Sequence, residues 1–235
     1  MVNIIKRPGE ALATRPLHFI WIADCSSSMH GDKINSLNFA IKEALPAMRS
    51  VADENPNAEV LCRAVSFDSS AKWHIQTPTP VETFNWIDLS VGGVTSMGAA
   101  LKLVAKELET DKMGDRALPP VLVLLSDGYP TDDFRSGLNE IMALPWGKKA
   151  VKLSIAIGVD ADLDVLQQFI GHSEIQPLVA TNSEQLVDFI RWASTVVIAE
   201  VSNPVSRTPG QEASATNVPI QMPTVKPIDS SLDVF

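Results

Sequence analysis

The chain has 235 residues, of which 45% are hydrophobic, and it can therefore bury one sizeable core and still carry a tail. Its formal net charge of −9 argues against binding to a nucleic-acid backbone, because such binding depends on clustered lysine and arginine. No apolar stretch approaches the ~20 residues of a transmembrane helix, and no signal-peptide core follows Lys6 and Arg7. We therefore expect a cytoplasmic protein whose two cysteines, Cys25 and Cys62, are free and buried.

Apolar runs alternate with helical patterns along the chain, which is typical of a parallel sheet covered on both faces. In chain order the predicted elements are strand Leu17–Ala23, helix Lys33–Val51, strands Glu59–Phe67 and Ala71–Gln76, helix Gly98–Leu108, strand Val121–Leu125, helix Thr131–Met142, strand Val151–Val159, helix Asp162–Ile170, strand Leu178–Ala180 and helix Ser183–Ile198. The strand at Ala71 follows a tight turn and is expected to return as an antiparallel edge strand. The sequence thus predicts an α/β fold with a doubly wound, mostly parallel central sheet and helices on both faces.

Local signals add four expectations to this outline. Pro46 should kink or split the first helix. Residues 77–80, with two prolines, are interpreted as a rigid loop. Ser183 is expected to cap the last helix, and Thr131 or Asp132 the helix near residue 131, although Asp132 and Asp133 are also candidates for tuning the charge of a nearby site.

The composition predicts three parts of the chain. Residues 1–14 form an N-terminal extension, 15–200 the folded domain and 201–235 a flexible tail rich in proline, serine and threonine. The last eight residues mix acidic and apolar groups. They are either a docking peptide or an inert terminus.

The segment Asp24-Cys25-Ser26-Ser27-Ser28 directly follows the first apolar run. A buried strand that ends in oxygen-bearing side chains places hard ligands at the carboxyl edge of the sheet, where open α/β folds bind ligands. Such oxygens suit Mg²⁺, Mn²⁺ or Ca²⁺. The same residue types also begin helices and make turns, so the segment alone leaves both interpretations open.

Two later segments favour the metal interpretation. Gly92-Gly93-Val94-Thr95 precedes a helical pattern and offers a hydroxyl, while the apolar strand near residue 121 ends in Ser126-Asp127-Gly128. All three segments lie at strand ends or helix starts. They can therefore converge on one edge of the sheet.

The pattern D-x-S-x-S, then T, then D resembles the metal-ion-dependent adhesion site of von Willebrand factor A domains, which have a Rossmann-like fold. The matching residues are Asp24, Ser26, Ser28, Thr95 and Asp127. The resemblance implies that the two serines and the threonine contact the metal, that the aspartates act through water, and that a partner's acidic side chain takes the open coordination position. It implies a protein-binding module and not an enzyme, with Mg²⁺, Mn²⁺ or Ca²⁺ as the ion.

Residues 92–101 and Ser126–Asp132 resemble the bacterial branch typified by the Y component of tellurium-resistance clusters. That resemblance implies a stress-resistance or defence system with a protein kinase and a PP2C-like phosphatase as partners. The alternatives are a substrate-recruiting adaptor of an AAA+ ATPase and a metal-dependent hydrolase. No G-x-S-x-G motif is present and no histidine pairs with a nucleophile in a recognisable order, so we assign no catalytic residue.

Overall fold

The protein consists of a six-stranded sheet with helices on both faces. Its computed structural model describes residues 14–55, 57–202, 222–223 and 235. The strands are β1 (Arg15–Asp24), β2 (Ala58–Phe67), β3 (Ala71–Pro80), β4 (Val121–Ser126), β5 (Val151–Ile157) and β6 (Leu178–Ala180). The helices are α1 (Asp32–Asp53), α2 (Met97–Ala105), α3 (Thr110–Met113), α4 (Phe134–Ala143), α5 (Pro145–Lys149), α6 (Leu163–Ile170) and α7 (Ser183–Ser202). The strand order is β3-β2-β1-β4-β5-β6, and only β3 runs antiparallel to its neighbour. The predicted fold class is confirmed.

The core has two layers, one on each face of the sheet. Successive residues of a strand point to opposite faces, so Phe19 and Trp21 of β1 pack with α1 and α7, while Ile20 and Ile22 pack with α2, α4 and α6. Because both faces are covered, the central strands are apolar at nearly every position, in place of the alternation of a half-exposed sheet.

The order of the strands sets where a ligand can bind. From β1 the chain crosses to β2 on one side, and it later returns to β4 on the other side of β1. The carboxyl ends of β1 and β4 therefore flank the point at which the winding reverses, and a crevice opens there in sheets of this kind. Ala23 lies opposite Leu125 in the register, which puts Asp24 beside Ser126 at this point.

The edge strand differs from its prediction. Residues 77–80 were expected to form a rigid loop, but β3 continues through Pro80, with Leu61 opposite Pro80 and Cys62 opposite Thr79. An edge strand tolerates proline because the backbone groups on its outer side have no neighbouring strand to bond with, so the missing N–H breaks no hydrogen bond there. The register between β2 and β3 also shifts near Cys62 and Ala64.

Two helix predictions are wrong, and a third is wrong in part. Helix α1 is a single helix that contains Pro46, so the proline does not split it, and a kink at Pro46 stays a prediction. Helix α4 begins at Phe134, three residues later than predicted, with Asp133 as the capping residue in place of Thr131 or Asp132. At α7 the side chain of Asn182, and not that of Ser183, accepts the Gln185 N–H. In both cases a polar residue next to the predicted cap had the better geometry.

The proposed extension and tail fall mostly outside the described residues. Within the described part, α7 runs to Ser202, Met222 and Phe235 pack against the α1–α7 layer, and the Phe235 N–H donates to the Thr181 carbonyl at 3.0 Å. Among the helices of this described part, none is both long enough and apolar enough to cross a bilayer. Cys25 and Cys62 are free and buried, as predicted.

Candidate metal centre

Asp24 lies buried at the bottom of the site, at the end of β1. Its Oδ1 accepts the Ser26 backbone N–H at 2.8 Å, and its Oδ2 accepts the Ser126 hydroxyl at 2.6 Å. Burial raises the pKa of this carboxyl, the hydrogen bonds from Ser126 and Ser26 lower it, and the neighbouring charge of Asp127 raises it further. Burial and a like charge both disfavour the carboxylate, so a cation at this position would relieve both.

Serine hydroxyl groups link the loop that follows β1 (the first loop) to the residue after β4 by hydrogen bonds. Ser26 Oγ lies 2.9 Å from Ser28 Oγ, and the Ser28 hydroxyl donates to Asp127 Oδ1 at 2.7 Å. A short 3₁₀ turn at Ser27–Met29 brings the two serines, two residues apart, to the same side of the loop. Four of the five predicted residues are thus connected by direct hydrogen bonds or through Ser126.

Thr95 comes from the loop before α2, and this loop is fastened to its neighbours. The Gly93 carbonyl accepts both the N–H and the hydroxyl of Ser27, at 3.1 and 2.8 Å. Gly93 has φ = +76°, and a Cβ there would lie 2.8 Å from the Ser69 backbone nitrogen, so only glycine fits this close approach. Val94, which separates the glycine pair from Thr95, projects into solvent.

Gly128, in the loop after β4, lies close to oxygens from the two other loops of the site. A Cβ built on Gly128 would lie 3.5 Å from Thr95 Oγ1, 3.7 Å from Ser28 Oγ and 3.9 Å from Asp24 Oδ2. The donor set consists of hydroxyl and carboxylate oxygens, which suits a hard divalent ion. The predicted residues therefore come together and fit the group. Their role as ligands stays a prediction.

The structure adds two residues that the sequence analysis missed. Ser126 holds Asp24 Oδ2, and Lys33 forms a 2.5 Å ion pair with Asp127 Oδ2. Ser126 was visible in the sequence as the neighbour of Asp127, and its register opposite Asp24 was the missing information. Lys33 lies at the start of a helix, and nothing in its sequence position indicated that it folds back over the site.

Asp132 helps to position the Thr95 loop and is not a ligand candidate. Its two carboxylate oxygens accept the Gly98 and Ala99 N–H groups of α2, each at 2.8 Å. The Thr131 N–H donates to the Thr95 carbonyl at 2.9 Å, so the loop after β4 and the loop before α2 are bonded directly to each other. Close packing of Gly98 against Gly137 brings α2 and α4 near enough for these bonds.

Within the described residues, histidine and cysteine do not form a metal site with other ligands. No three histidine, cysteine, aspartate or glutamate side chains gather there in positions suited to a metal ion. Cys25, although inside the first loop, packs in the core, and burial raises its pKa to about 12. Thiolate ligation is therefore disfavoured at this edge of the sheet.

Comparisons with known proteins identify the family and the fold of the chain. The sequence profile of the von Willebrand factor type A domain matches residues 20–190. No curated protein sequence matches the chain.

Solved structures with the same fold come from distant organisms. The ArnB paralog VWA2 of Sulfolobus acidocaldarius has 18% identity and a TM-score of 0.54, over 75% of this chain and 44% of that one. A von Willebrand factor type A structure from Catenulispora acidiphila has 15% identity and a TM-score of 0.59, over 80% and 43%. A mussel byssus protein, proximal thread matrix protein 1, was solved with zinc in its metal-ion-dependent adhesion site (MIDAS) motif. It has 15% identity and a TM-score of 0.58, over 80% of this chain and 48% of that one.

The chain thus spans a little under half the length of each of these three relatives. Identities this low establish the fold alone. The profile match, however, extends from β1 into α7 and includes all three loops of the site. The chain belongs to the von Willebrand factor type A domain family.

Proposed function

We propose that this domain is a metal-dependent protein-interaction module and not an enzyme. The observation that carries the proposal is the convergence of Thr95, Ser28 and Asp24 oxygens on the space beside Gly128. The ion, which is Mg²⁺, Mn²⁺ or Ca²⁺, would supply an open coordination position for a carboxylate oxygen of the partner. Ser26, Ser28 and Thr95 would hold it, and Asp24 and Asp127 would orient those hydroxyls and the bound water.

The hydrogen bonds around the serines support binding over nucleophilic catalysis. Ser28 donates to Asp127, and the Ser26 and Ser28 hydroxyls contact each other. In the described part of the site neither hydroxyl is paired with an imidazole, which is the usual activating base for a serine nucleophile. Asp127 already pairs with Lys33 and is not a free general base.

The surface around the site offers apolar anchors for a partner. Val94, Tyr129 and Val159 lie in three loops at this edge of the sheet, and each is more than half exposed. Tyr129 is 66% exposed and only two residues from Asp127. Tyrosine is one of the residue types that contribute most of the binding energy in protein interfaces.

The sequence resemblance leads us to propose a bacterial stress-resistance or defence system with a kinase and a PP2C-like phosphatase. Affinity purification from the native host with Mg²⁺ or with EDTA, followed by mass spectrometry, tests this proposal. We expect partners that are lost with EDTA and lost when Thr95→Ala replaces the wild-type protein. Partners retained under both conditions would show that recognition uses another face.

The acidic contact is tested once a partner is known. Its surface aspartates and glutamates are changed to alanine one at a time, and one variant should lose binding as completely as EDTA treatment does. Truncating one side of such a buried charged contact typically costs about 2–5 kcal/mol. If every acidic variant still binds in a metal-dependent way, the ion only shapes the loops.

A further inference from the structure

Lys33 forms an ion pair inside the predicted metal centre. Its ammonium lies 2.5 Å from Asp127 Oδ2, and the two side chains are only 18% and 1% exposed. The Lys33 side chain crosses Gly158, where a Cβ would lie 3.1 Å from Lys33 Cε and 3.2 Å from Nζ. A glycine with φ = +94° at the end of β5 thus provides the room for the lysine to reach the site.

Both oxygens of Asp127 are consequently occupied. Lys33 takes Oδ2 and the Ser28 hydroxyl takes Oδ1. A carboxylate held on both sides in this way acts on the site through Ser28. A metal ion in direct contact with Asp127 would lie close to the Lys33 ammonium, and the two positive charges would repel each other.

The charge balance of the centre depends on the same lysine. Lys33 is paired with Asp127, whereas Asp24 accepts its two hydrogen bonds from Ser26 and Ser126. The lysine therefore offsets part of the negative charge that the two aspartates offer to a divalent ion. Less of the ion's charge is then neutralised within the site, and an external carboxylate gains more from binding to the ion than it would without Lys33.

We propose that Lys33 is a built-in counter-cation that keeps Asp127 out of direct metal contact, so that Mg²⁺ binds weakly alone and tightly only together with an external carboxylate. This inference rests on the proposed metal-dependent function and names how that function is regulated. Metal and acidic ligand then bind cooperatively, and each raises the affinity of the other by the same factor.

The test is calorimetric titration of Mg²⁺ into chelator-stripped wild-type protein and Lys33→Met, with and without acetate as a carboxylate probe. Removal of the ammonium should tighten Mg²⁺ binding on the order of tenfold, since it lifts a direct repulsion at short range and frees Asp127. Acetate should raise the Mg²⁺ affinity of the wild type more than that of Lys33→Met.

Lys42→Met is the matched control. Lys42 lies on the same helix and pairs with Asp88 at 2.5 Å, but both side chains are about half exposed and away from the site. The substitution removes the same charge from the same helix, and we expect unchanged Mg²⁺ affinity. Lys33→Gln keeps a hydrogen-bond donor for Asp127 without the charge and serves if Lys33→Met folds poorly without metal; it should also bind Mg²⁺ more tightly than the wild type.

The results separate the two proposals. If the wild type and both Lys33 variants bind no divalent ion, the metal-dependent function itself is contradicted. If the wild type binds Mg²⁺ and the Lys33 variants bind it equally or more weakly, only the counter-cation role is overturned, and the lysine then serves to hold Asp127 in place for the ion.

Discussion

Two groups of buried charge lie in this sheet, and they are organised in opposite ways. At the carboxyl edge, Asp24 and Asp127 form an acidic pair with one cation, Lys33, and the carboxylate oxygens are all hydrogen-bonded. Under α2 and its C-terminal turn lies a basic group in which Arg63 forms an ion pair with one anion, Glu107, beside His18, whose pKa is lowered to about 4 so that the imidazole is neutral at pH 7. There the Arg63 Nε and His18 Nδ1 atoms are buried without a partner.

The difference supports placing the proposed function in the acidic group. There, the loops after β1 and before α2 bring oxygens of Asp24, Ser28 and Thr95 together beside Gly128, and a cation would offset the burial and the like charge that disfavour the Asp24 carboxylate. The basic group is closed by packing: the Arg63 guanidinium lies 5.0 Å from the Trp73 ring centre and 2.8 Å from Glu107. We interpret the first as a binding site and the second as part of the structural core.

The largest expected effect is the loss of metal binding in Thr95→Ala. Loss of even an outer-shell partner typically costs roughly 10–100-fold in metal affinity, so removal of a direct ligand should cost at least about 100-fold. The fold should persist, because the Thr95 backbone bonds to Thr131 do not depend on the side chain's hydroxyl. Titration with Mg²⁺ and circular dichroism measure the two effects. Thr83→Ala, on an exposed loop, is the control.

Asp24→Ala should also abolish binding, but it is the less specific variant. It leaves the Ser126 hydroxyl and the Ser26 N–H without their acceptor, which costs about 1–3 kcal/mol for each buried group that stays unsatisfied. Unchanged Mg²⁺ affinity in Thr95→Ala would mean that the convergence beside Gly128 is not the binding geometry.

Removing the anion of the basic group should reduce stability and leave metal binding intact. Glu107→Ala leaves Arg63, whose side chain is 3% exposed, without its ion-pair partner. Although burial acts to raise the pKa of Glu107, hydrogen bonds from Arg63 and Lys112 hold it below its usual value, so the carboxylate is ionised in the fold. Breaking such a pair costs about 3 kcal/mol.

Urea denaturation and Mg²⁺ titration of Glu107→Ala measure both properties. The surface substitution Glu140→Ala is the control, since its contact with Lys102 is 3.6 Å long and both side chains are exposed. A loss of Mg²⁺ affinity in a folded Glu107→Ala protein would show that the two groups are coupled and that our separation of them is wrong.

Gly93→Ala should impair both stability and metal binding, because the glycine shapes the Thr95 loop. Its φ of +76° is unfavourable for alanine, and the added Cβ would collide with the Ser69 backbone. We expect a loss of about 1–3 kcal/mol in unfolding free energy, with weaker Mg²⁺ binding. Gly114→Ala has a similar φ of +74° but open space around it, so it isolates the backbone strain from the collision. Equal effects of the two substitutions would rule out the close approach as the cause.

The smallest effect is the pH dependence that His18 contributes. Burial, followed by the charge of Arg63, lowers its pKa from 6.5 to about 4, while Glu107 acts in the opposite direction. The unfolded chain takes up a proton near pH 6.5 and the folded chain does not, so stability falls as the pH decreases from there towards pH 4.

Between about pH 7.5 and about pH 5.5 this difference amounts to about 1 kcal/mol. His18→Gln should lack this part of the pH dependence in urea denaturation, whereas His172→Gln should retain it. An identical pH dependence in His18→Gln and the wild type would assign the effect to other groups.

The sequence was sufficient for the parts of this molecule that depend on local patterns. Apolar runs and turn signals predicted the strands, and the positions at strand ends and helix starts predicted that the segments carrying Asp24, Thr95 and Asp127 would come together, while the family resemblance supplied the set of oxygens. The extent of β3 was wrong because proline penalties depend on whether a strand lies at an edge.

Contacts that depend on the register of distant elements could not be predicted. Ser126 meets Asp24 because of the pairing of β1 with β4. Lys33 reaches Asp127 across Gly158, which comes from β5. The caps of α4 and α7 fell on neighbouring polar residues, because several side chains near a helix start can accept the same N–H groups.

The central claim is that the hydroxyl oxygens of Ser26, Ser28 and Thr95 bind a divalent ion beside Gly128. A crystal structure of the protein grown with Mn²⁺, with anomalous difference density at the manganese edge, tests it most directly. The account predicts one strong peak about 2.0–2.2 Å from the hydroxyl oxygens of Ser26, Ser28 and Thr95, at distances typical of an octahedral ion. A peak at other residues, or none while these loops keep the described geometry, would contradict it.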